Sequence, residues 1–136
     1  MNLNIFHPSK SCNGSIDIKG SKSISNRLLF LQSIYPSIKI LNESNSEDTV
    51  LMKKGLKSNN NIIDIGHAGT AMRFLTSYFS GQKDRKIILT GSKRMQERPI
   101  KILVEALNNL GAEISYEIKE GFPPIKIIGN DLKSKN

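Results

Sequence analysis

The most constraining feature of the sequence is a turn with two glycines, residues 66–73, between a strand pattern and a helix pattern. The apolar run 62–65 before it predicts a short buried strand. Apolar residues after it recur at the spacing of one helical face: Ala71, Met72, Leu75, Tyr78 and Phe79. Glycine lets the backbone approach a ligand, and the first N–H groups of a helix lack partners at the positive end of its dipole. The turn is therefore predicted to bind phosphate or carboxylate.

The same design of a glycine followed seven residues later by an arginine occurs three times. The pairs are Gly20 with Arg27, Gly66 with Arg73, and Gly91 with Arg98. Helical side chains lean toward the N-terminus, so such an arginine can point back at the turn. Helices that follow parallel strands begin along one edge of the sheet, so the three turns predict a site for a ligand with several negative groups. A single glycine–arginine pair of this kind would be an ordinary connection between a strand and a helix.

Composition narrows the function classes. A chain of 136 residues suits one domain or two small ones. The single Cys12 cannot form an internal disulfide and favours a reducing, cytoplasmic setting. With only His7 and His67 beside it, a zinc site has almost no support.

We expect no membrane partner, because no apolar run reaches spanning length and the N-terminus lacks a signal-peptide pattern. The net charge of +8 permits nucleic acid, but no nucleic-acid-binding module is recognisable, so none is expected.

The first half of the chain predicts an incomplete unit of strand, helix, strand and helix over residues 14–60, after an arm or loop at 1–13. The alternation of Ile16 and Ile18 predicts a strand at 15–19. A helix from the turn at 20–23 is expected to bury one face and to end at Pro36. That face comprises Ile24, Leu28, Leu31 and Tyr35. A strand at 38–41 and a helix capped within 44–48 follow, where Glu47 and Asp48 are expected to serve structure only.

The second half predicts a complete βαβαββ unit over residues 61–130, with a polar tail at 131–136. Its expected elements are strand 62–65, helix 70–80, strand 86–90, helix 99–110 and two further strands at 113–118 and 125–128. Gly111 is expected to end the last helix as a C′ glycine. Pro99 prefers the first helical position, which would place Arg98 at the cap. The predicted fold class is α/β (α+β), with one complete and one incomplete βαβαββ unit.

Three stretches resemble the amino-terminal signatures of the EPSP synthase family: residues 20–27, 68–73 and 94–100. The resemblance covers nearly the whole chain in the right order. It implies the enolpyruvyl transferase fold, built from repeated βαβαββ units in two globular domains. It also implies a shikimate-pathway transferase, 3-phosphoshikimate 1-carboxyvinyltransferase. That enzyme moves the enolpyruvyl group of phosphoenolpyruvate to the 5-hydroxyl of shikimate 3-phosphate and releases phosphate, without a metal or organic cofactor. The full-length family is expected to be monomeric.

The resemblance also implies roles for individual residues. Lys22 would contact both substrates and take part in catalysis, while Ser23 and Arg27 would bind shikimate 3-phosphate. Gly69 and Arg98 would bind phosphoenolpyruvate. Three further residues would support the site, with Arg73 and Arg94 expected to brace the turns rather than touch a ligand: Thr70, Arg73 and Arg94.

The sequence departs from the family pattern at two positions. His67 stands where asparagine is usual, and Phe74 stands where many members have proline, which is expected to shift the helix start slightly. Family members are several times longer and take their acidic proton-transfer residues from later sequence, so we expect the isolated chain to be inactive. The alternatives are a non-catalytic fragment that binds phosphorylated ligands and a basic nucleic-acid-binding domain. A related family of enolpyruvyl transferases acts on UDP-N-acetylglucosamine. It usually has asparagine at the position of Ser23 and cysteine at the position of Lys93, so this alternative is not expected.

Overall fold

A computed structural model describes residues 3–4, 6, 8, 11 and 13–133. Within these residues the chain forms five helices and four strands. In chain order they are α1 (Lys22–Ile34), α2 (Glu47–Leu56), β1 (Ile62–Asp64), α3 (Gly69–Ser80), β2 (Lys86–Thr90), α4 (Lys93–Gln96), α5 (Lys101–Asn109), β3 (Glu113–Tyr116) and β4 (Ile125–Ile128).

The four strands form one mixed sheet in the order β1-β2-β4-β3. Strands β1 and β2 are parallel, with Ile63 opposite Leu89, whereas the other two pairs are antiparallel. The α/β class predicted from the sequence is confirmed. Because β1 and β2 are parallel neighbours, the turns that follow them emerge at the same edge of the sheet.

The hydrophobic core lies on the face of the sheet that α3 covers. Alternate residues of the central strands are buried, and in β2 and β4 they stand opposite one another as Ile87 with Ile127 and Leu89 with Ile125. From α3, Met72 and Leu75 are buried in the same cluster. Burying one such aliphatic side chain contributes about 1.5–3 kcal/mol, so these strands and α3 hold the fold together.

The predicted elements of the second half are formed, with small shifts at their ends. The helix predicted at 70–80 is α3, which starts at Gly69, and an effect of Phe74 on the helix start stays a prediction. The last helix ends as predicted at Gly111, which has φ +98°, and the backbone N–H of Ala112 donates to Leu107 at 3.0 Å. The division into units at 14–60 and 61–130 stays a prediction.

The prediction for the start of the last helix is wrong. The sequence predicts a helix from residue 99, but α5 begins at Lys101 after the N-cap Ile100. Pro99 therefore lies before the helix, and Arg98 is not at its cap. The short helix α4 precedes it and was not predicted.

Two predicted strands of the first half, 15–19 and 38–41, are not formed. A strand needs a neighbour for its backbone hydrogen bonds, and these segments pass close without forming a ladder. The Asn42 side chain donates to the Ile18 carbonyl at 3.3 Å, and Gly20 lies so close to the Asn42 carbonyl that a Cβ would collide with it. Ile16 and Ile18 are 86% and 74% exposed, so their alternation does not reflect burial.

Helix α1 is formed, but the face predicted to be buried is wrong. Ile24, Leu31 and Tyr35 are exposed, whereas Ser25, Asn26 and Leu29 are buried. The Ser25 hydroxyl accepts from the backbone N–H of Ser44 at 2.9 Å. The Asn26 amide has no hydrogen-bond partner within the described residues. This helix therefore turns a largely polar face inward.

Helix α2 begins after Ser46, within the predicted capping region, and has Glu47 and Asp48 in its first turn. The predicted arm at 1–13 and tail at 131–136 fall partly outside the described residues. None of the helices in the described part of the chain is long and apolar enough to cross a bilayer.

Candidate anion site at the ends of two parallel strands

A hydrogen bond within the turn after β1 fixes the backbone of that turn. Gly66 has φ +53°, a conformation that favours glycine, and its N–H donates to Asp64 Oδ1 at 2.8 Å. Helix α3 then begins at Gly69, and its N-cap Ala68 makes no side-chain capping bond. The opening N–H groups of α3 therefore remain for water or a ligand.

The turn after β2 lies directly against the first turn. The backbone N–H of Ser92 donates to the Gly66 carbonyl at 3.0 Å. Gly91 is so close to the same carbonyl that an added Cβ would approach it to 2.6 Å. Two of the three predicted glycine turns are thus joined at one sheet edge.

Arg98 brings the third predicted cationic group to the start of α3. A Cβ on Gly69 would collide with the guanidinium of Arg98, so the two residues are in contact. Arg98 borders a cavity of about 430 Å³. The residues lining this cavity are His67, Arg94, Met95, Glu97 and Arg98. Two guanidinium groups and one carboxylate leave the lining with positive charge, and the His67 imidazole adds further hydrogen-bonding nitrogens.

Arg98 also borders a second cavity, of about 390 Å³, which Gly69 lines as well. Thr70 and Phe74 line this cavity. The ring of Phe74 also contacts Phe30 of α1, with centroids 5.3 Å apart. Phe74 therefore joins α3 to α1.

Arg73 makes two main-chain contacts. One guanidinium nitrogen donates to the Gly69 carbonyl and another to the Pro99 carbonyl, both at 3.1 Å. These bonds tie the start of α3 to the segment before α5. They are the contacts that a bracing residue makes.

A side-chain bond that sequence reasoning missed joins the two turns again. Ser92 Oγ lies 2.7 Å from His67 Nδ1. The same hydroxyl is the N-cap of α4 and accepts from the backbone N–H of Met95 at 3.3 Å. A serine before a helical run is an N-cap signal that could have indicated α4, but its approach to His67 arises only from strand pairing.

The first glycine turn has different surroundings. Ser21 caps α1, and the Arg27 guanidinium donates to the Ser23 carbonyl at 2.9 Å. Lys22 Nζ lies 3.6 Å from Asp48 Oδ2, so the two side chains form an ion pair. Within the described residues, no hydrogen bond or ion pair joins Lys22, Ser23 or Arg27 to the turns at 66–69 and 91–98.

The comparisons with known proteins agree with the sequence motifs. Residues 37–136 match the family model described as EPSP synthase (3-phosphoshikimate 1-carboxyvinyltransferase). The chain belongs to the EPSP synthase family. The resemblance to this family expected from the sequence is therefore confirmed.

Relatives within the EPSP synthase family cover the chain almost completely. The 3-phosphoshikimate 1-carboxyvinyltransferase of Bacteroides fragilis (strain YCH46) is 50% identical over 119 residues, which are 87% of this chain and 29% of that protein. The enzyme of the same name from Shewanella pealeana is 40% identical over an alignment of 164 positions, covering 100% of this chain and 38% of the relative. The chain therefore spans well under half the length of these relatives.

A solved structure shows the same fold. EPSP synthase from Acinetobacter baumannii superposes with a TM-score of 0.70 at 22% sequence identity. The match covers 85% of this chain and 32% of that protein. The enolpyruvyl transferase fold expected from the sequence is thus confirmed.

Proposed function

We propose that this chain supplies part of the site in which an EPSP synthase binds phosphoenolpyruvate and shikimate 3-phosphate. The observation that carries the proposal is the contact between Arg98 and Gly69 at the open start of α3. It places a guanidinium beside unpaired backbone N–H groups, which together suit a phosphate or carboxylate.

Phosphoenolpyruvate is assigned to the edge formed by the joined turns. Arg98 is exposed, and its guanidinium makes no hydrogen bond or ion pair within the described residues, so it can make paired bonds to the ligand's charged groups. The buried Gly69 offers its backbone. Arg73 keeps Gly69 in place through its bond to the Gly69 carbonyl. Thr70 and Arg94 line the adjoining cavities and complete the supporting set.

Shikimate 3-phosphate is assigned to the start of α1. Ser23 and Arg27 lie in its first two turns, and both are exposed. The bond of Arg27 to the Ser23 carbonyl holds the guanidinium toward the helix start, where a phosphate is favoured.

Lys22 is assigned to both substrates. Its ion pair with Asp48 is long and half-exposed, and such pairs contribute about 0–1 kcal/mol, so a phosphorylated ligand competes for the ammonium easily. In the transfer, the 5-hydroxyl oxygen adds to the enolpyruvyl carbon and loses its proton. The bond between that carbon and the phosphate oxygen of the tetrahedral intermediate then breaks, and phosphate leaves. Positive groups such as Lys22 and Arg98 stabilise the phosphate that leaves.

The isolated chain is proposed to bind without turning over substrate. It spans only 29% and 38% of the two relatives described above. Positioning and charge stabilisation come from residues such as Lys22 and Arg98, while proton transfer needs groups from the rest of a full-length enzyme. Release of phosphate from the two substrates by residues 1–136, at a rate typical of enzymes, would contradict this.

Calorimetric titration tests the binding proposal. Shikimate 3-phosphate and phosphoenolpyruvate are titrated separately and together into the chain, with Arg27→Ala and Arg98→Ala. Loss of a charged hydrogen bond should weaken binding by about tenfold or more: of shikimate 3-phosphate in the first variant and of phosphoenolpyruvate in the second. Lys86→Ala is the control, because it removes one positive charge from the opposite end of β2.

Equal weakening by all three variants would show a general charge effect and contradict the assigned site. Steeply salt-dependent binding of DNA that shikimate 3-phosphate does not relieve would instead support the nucleic-acid alternative.

A further inference from the structure

The contact between His67 and Ser92 joins residues from the ends of two neighbouring strands. They are 25 positions apart in sequence, yet Nδ1 and Oγ are 2.7 Å apart. The backbone hydrogen bond from Ser92 to Gly66 already holds the two turns together. The side-chain bond between His67 and Ser92 is therefore not needed to join them. Its consequence therefore lies in the orientation of the imidazole.

Which nitrogen of His67 carries the proton depends on the direction of its hydrogen bond to Ser92. A hydroxyl has one hydrogen and two lone pairs. One lone pair of Ser92 Oγ accepts from the Met95 N–H. Within the described residues, His67 Nδ1 is the only other atom bonded to this hydroxyl, and either atom can be the donor. When the hydroxyl donates to Nδ1, the neutral imidazole must carry its hydrogen on Nε2.

The other ring nitrogen of His67 is free within the described chain. His67 is exposed and lines the cavity that Arg94 and Arg98 also line. An Nε2–H in that lining is a neutral donor among charged ones. It adds a directional bond to an anion without adding to the repulsion between the two guanidinium groups. Glu97 lines the same cavity, and its carboxylate weakens the general attraction of the cavity for anions. A donor aimed at one oxygen of the ligand therefore matters more for holding an anion there.

We propose that His67 binds the phosphorylated ligand through Nε2–H, and that Ser92 is a positioning residue that fixes this tautomer and ring orientation. The proposal rests on the function proposed above and extends it to a residue that departs from the usual asparagine. His67 is a ligand-binding residue of the site, and Ser92 acts only through it.

The tautomer is tested first, without any ligand. The chain is labelled with ¹⁵N-histidine, and long-range proton–nitrogen correlations are recorded in mildly alkaline buffer, where imidazole is neutral. His67→Gln identifies which signals belong to His67 rather than His7. We expect His67 to be predominantly the Nε2–H form in the native chain, and to become a mixture in Ser92→Gly. Glycine is chosen because it is tolerated as an N-cap nearly as well as serine.

Binding is tested next with phosphoenolpyruvate in the presence of shikimate 3-phosphate. His67→Phe keeps a ring without a donor and should weaken binding by about tenfold. His67→Gln places an amide N–H near the position of Nε2 and should restore most of that loss. Ser92→Gly should weaken binding by about threefold, because the ring is no longer oriented.

The matched control is Ser58→Ala. Ser58 also accepts a backbone N–H with its hydroxyl, from Asn60 at 3.2 Å, but lies before β1 at the far end of the strand. It should leave both the His67 signals and the affinity unchanged.

The outcomes separate the two proposals. If Arg98→Ala weakens binding while His67→Phe binds like the native chain, the role of His67 is overturned and the proposed function stands. A predominant Nδ1–H tautomer, or no gain from His67→Gln over His67→Phe, also overturns it. If the native chain binds no phosphoenolpyruvate, both the proposed function and the role of His67 are wrong.

Discussion

Two glycine-to-arginine turns of the same spacing, at 20–27 and 66–73, reach different surroundings in the folded chain. In both, the arginine donates to the carbonyl four residues earlier, Ser23 for Arg27 and Gly69 for Arg73. Arg73 also reaches the Pro99 carbonyl, whereas Arg27 makes no second contact within the described residues.

The difference comes from what precedes each turn. The second turn follows β1, which is paired with β2, so its neighbour at Ser92 is brought into hydrogen-bonding distance. The first turn follows residues 15–19, which form no ladder. The local motif thus sets the arginine's direction, and the paired strand decides whether a second segment meets it.

The largest expected contrast between the regions is in stability. Leu89→Ala removes a fully buried side chain from β2 and should lower the free energy of unfolding by about 2–5 kcal/mol. Ile18→Ala changes a residue that is 74% exposed and should stay within about 0.5 kcal/mol. Urea unfolding followed by circular dichroism measures both. Similar losses would show that the first half contributes to the core as much as the sheet does.

The two arginines give the next contrast. Arg73→Ala removes both main-chain bonds and should cost about 1–2 kcal/mol of unfolding free energy. Arg27→Ala removes one exposed bond within its own helix and should cost less than about 0.5 kcal/mol. The same unfolding experiment applies. A cost for Arg27→Ala as large as that for Arg73→Ala would break the distinction between a braced and a free turn.

The glycines of the two turns should separate binding from stability. In Gly69→Ala the new methyl group displaces the flexible end of Arg98, so phosphoenolpyruvate affinity should fall about tenfold while unfolding changes little. In Gly20→Ala the methyl group meets the Asn42 backbone, so unfolding free energy should fall by about 1–3 kcal/mol. Gly14→Ala, with open space around it, is the control for both measurements. An unchanged affinity in Gly69→Ala would mean that Arg98 does not need its present position.

The smallest expected effect is a pH dependence in the second half. A side-chain hydrogen bond and the charge attraction to Glu120 raise the pKa of Lys101, and the same pair lowers the pKa of Glu120. The pair therefore stabilises the fold above the ordinary glutamate range and below the ordinary lysine range. Its contribution is lost as pH falls through the lowered glutamate pKa or rises through the raised lysine pKa.

Lys101→Gln should lower the melting temperature slightly in that window and match the native chain in acid. Lys19→Gln removes the same charge from an exposed pair in the first half and serves as the control. A Lys101→Gln difference that stays constant from acid to neutral pH would contradict the linkage.

The sequence predicts the second half well because its patterns coincide with burial. The periodic residues of α3, such as Met72 and Leu75, and the alternation in β2 and β4 all face one core. The turns at Gly66 and Gly91 are predictable for the same reason, since each follows a strand whose pattern matches its burial. The contact of Arg98 with Gly69 agrees with the motif-based expectation that both belong to one site.

The first half is harder to predict because its apolar spacing does not match its burial. Ile24, Leu31 and Tyr35 have helical spacing but point outward, while the polar Ser25 and Asn26 are inside. Local periodicity cannot say which neighbour a face will meet. The hydrogen bond between His67 and Ser92 could not be predicted either. It depends on the register of two paired strands, which places residues 25 positions apart in sequence next to each other.

The bond from the Ser92 N–H to the Gly66 carbonyl has a further consequence for recognition. Much of the conformational freedom of the backbone in both turns is already lost when the sheet forms. An anion that binds as proposed would therefore meet groups that need little rearrangement, and the entropy that a flexible loop would lose on association would largely be spared.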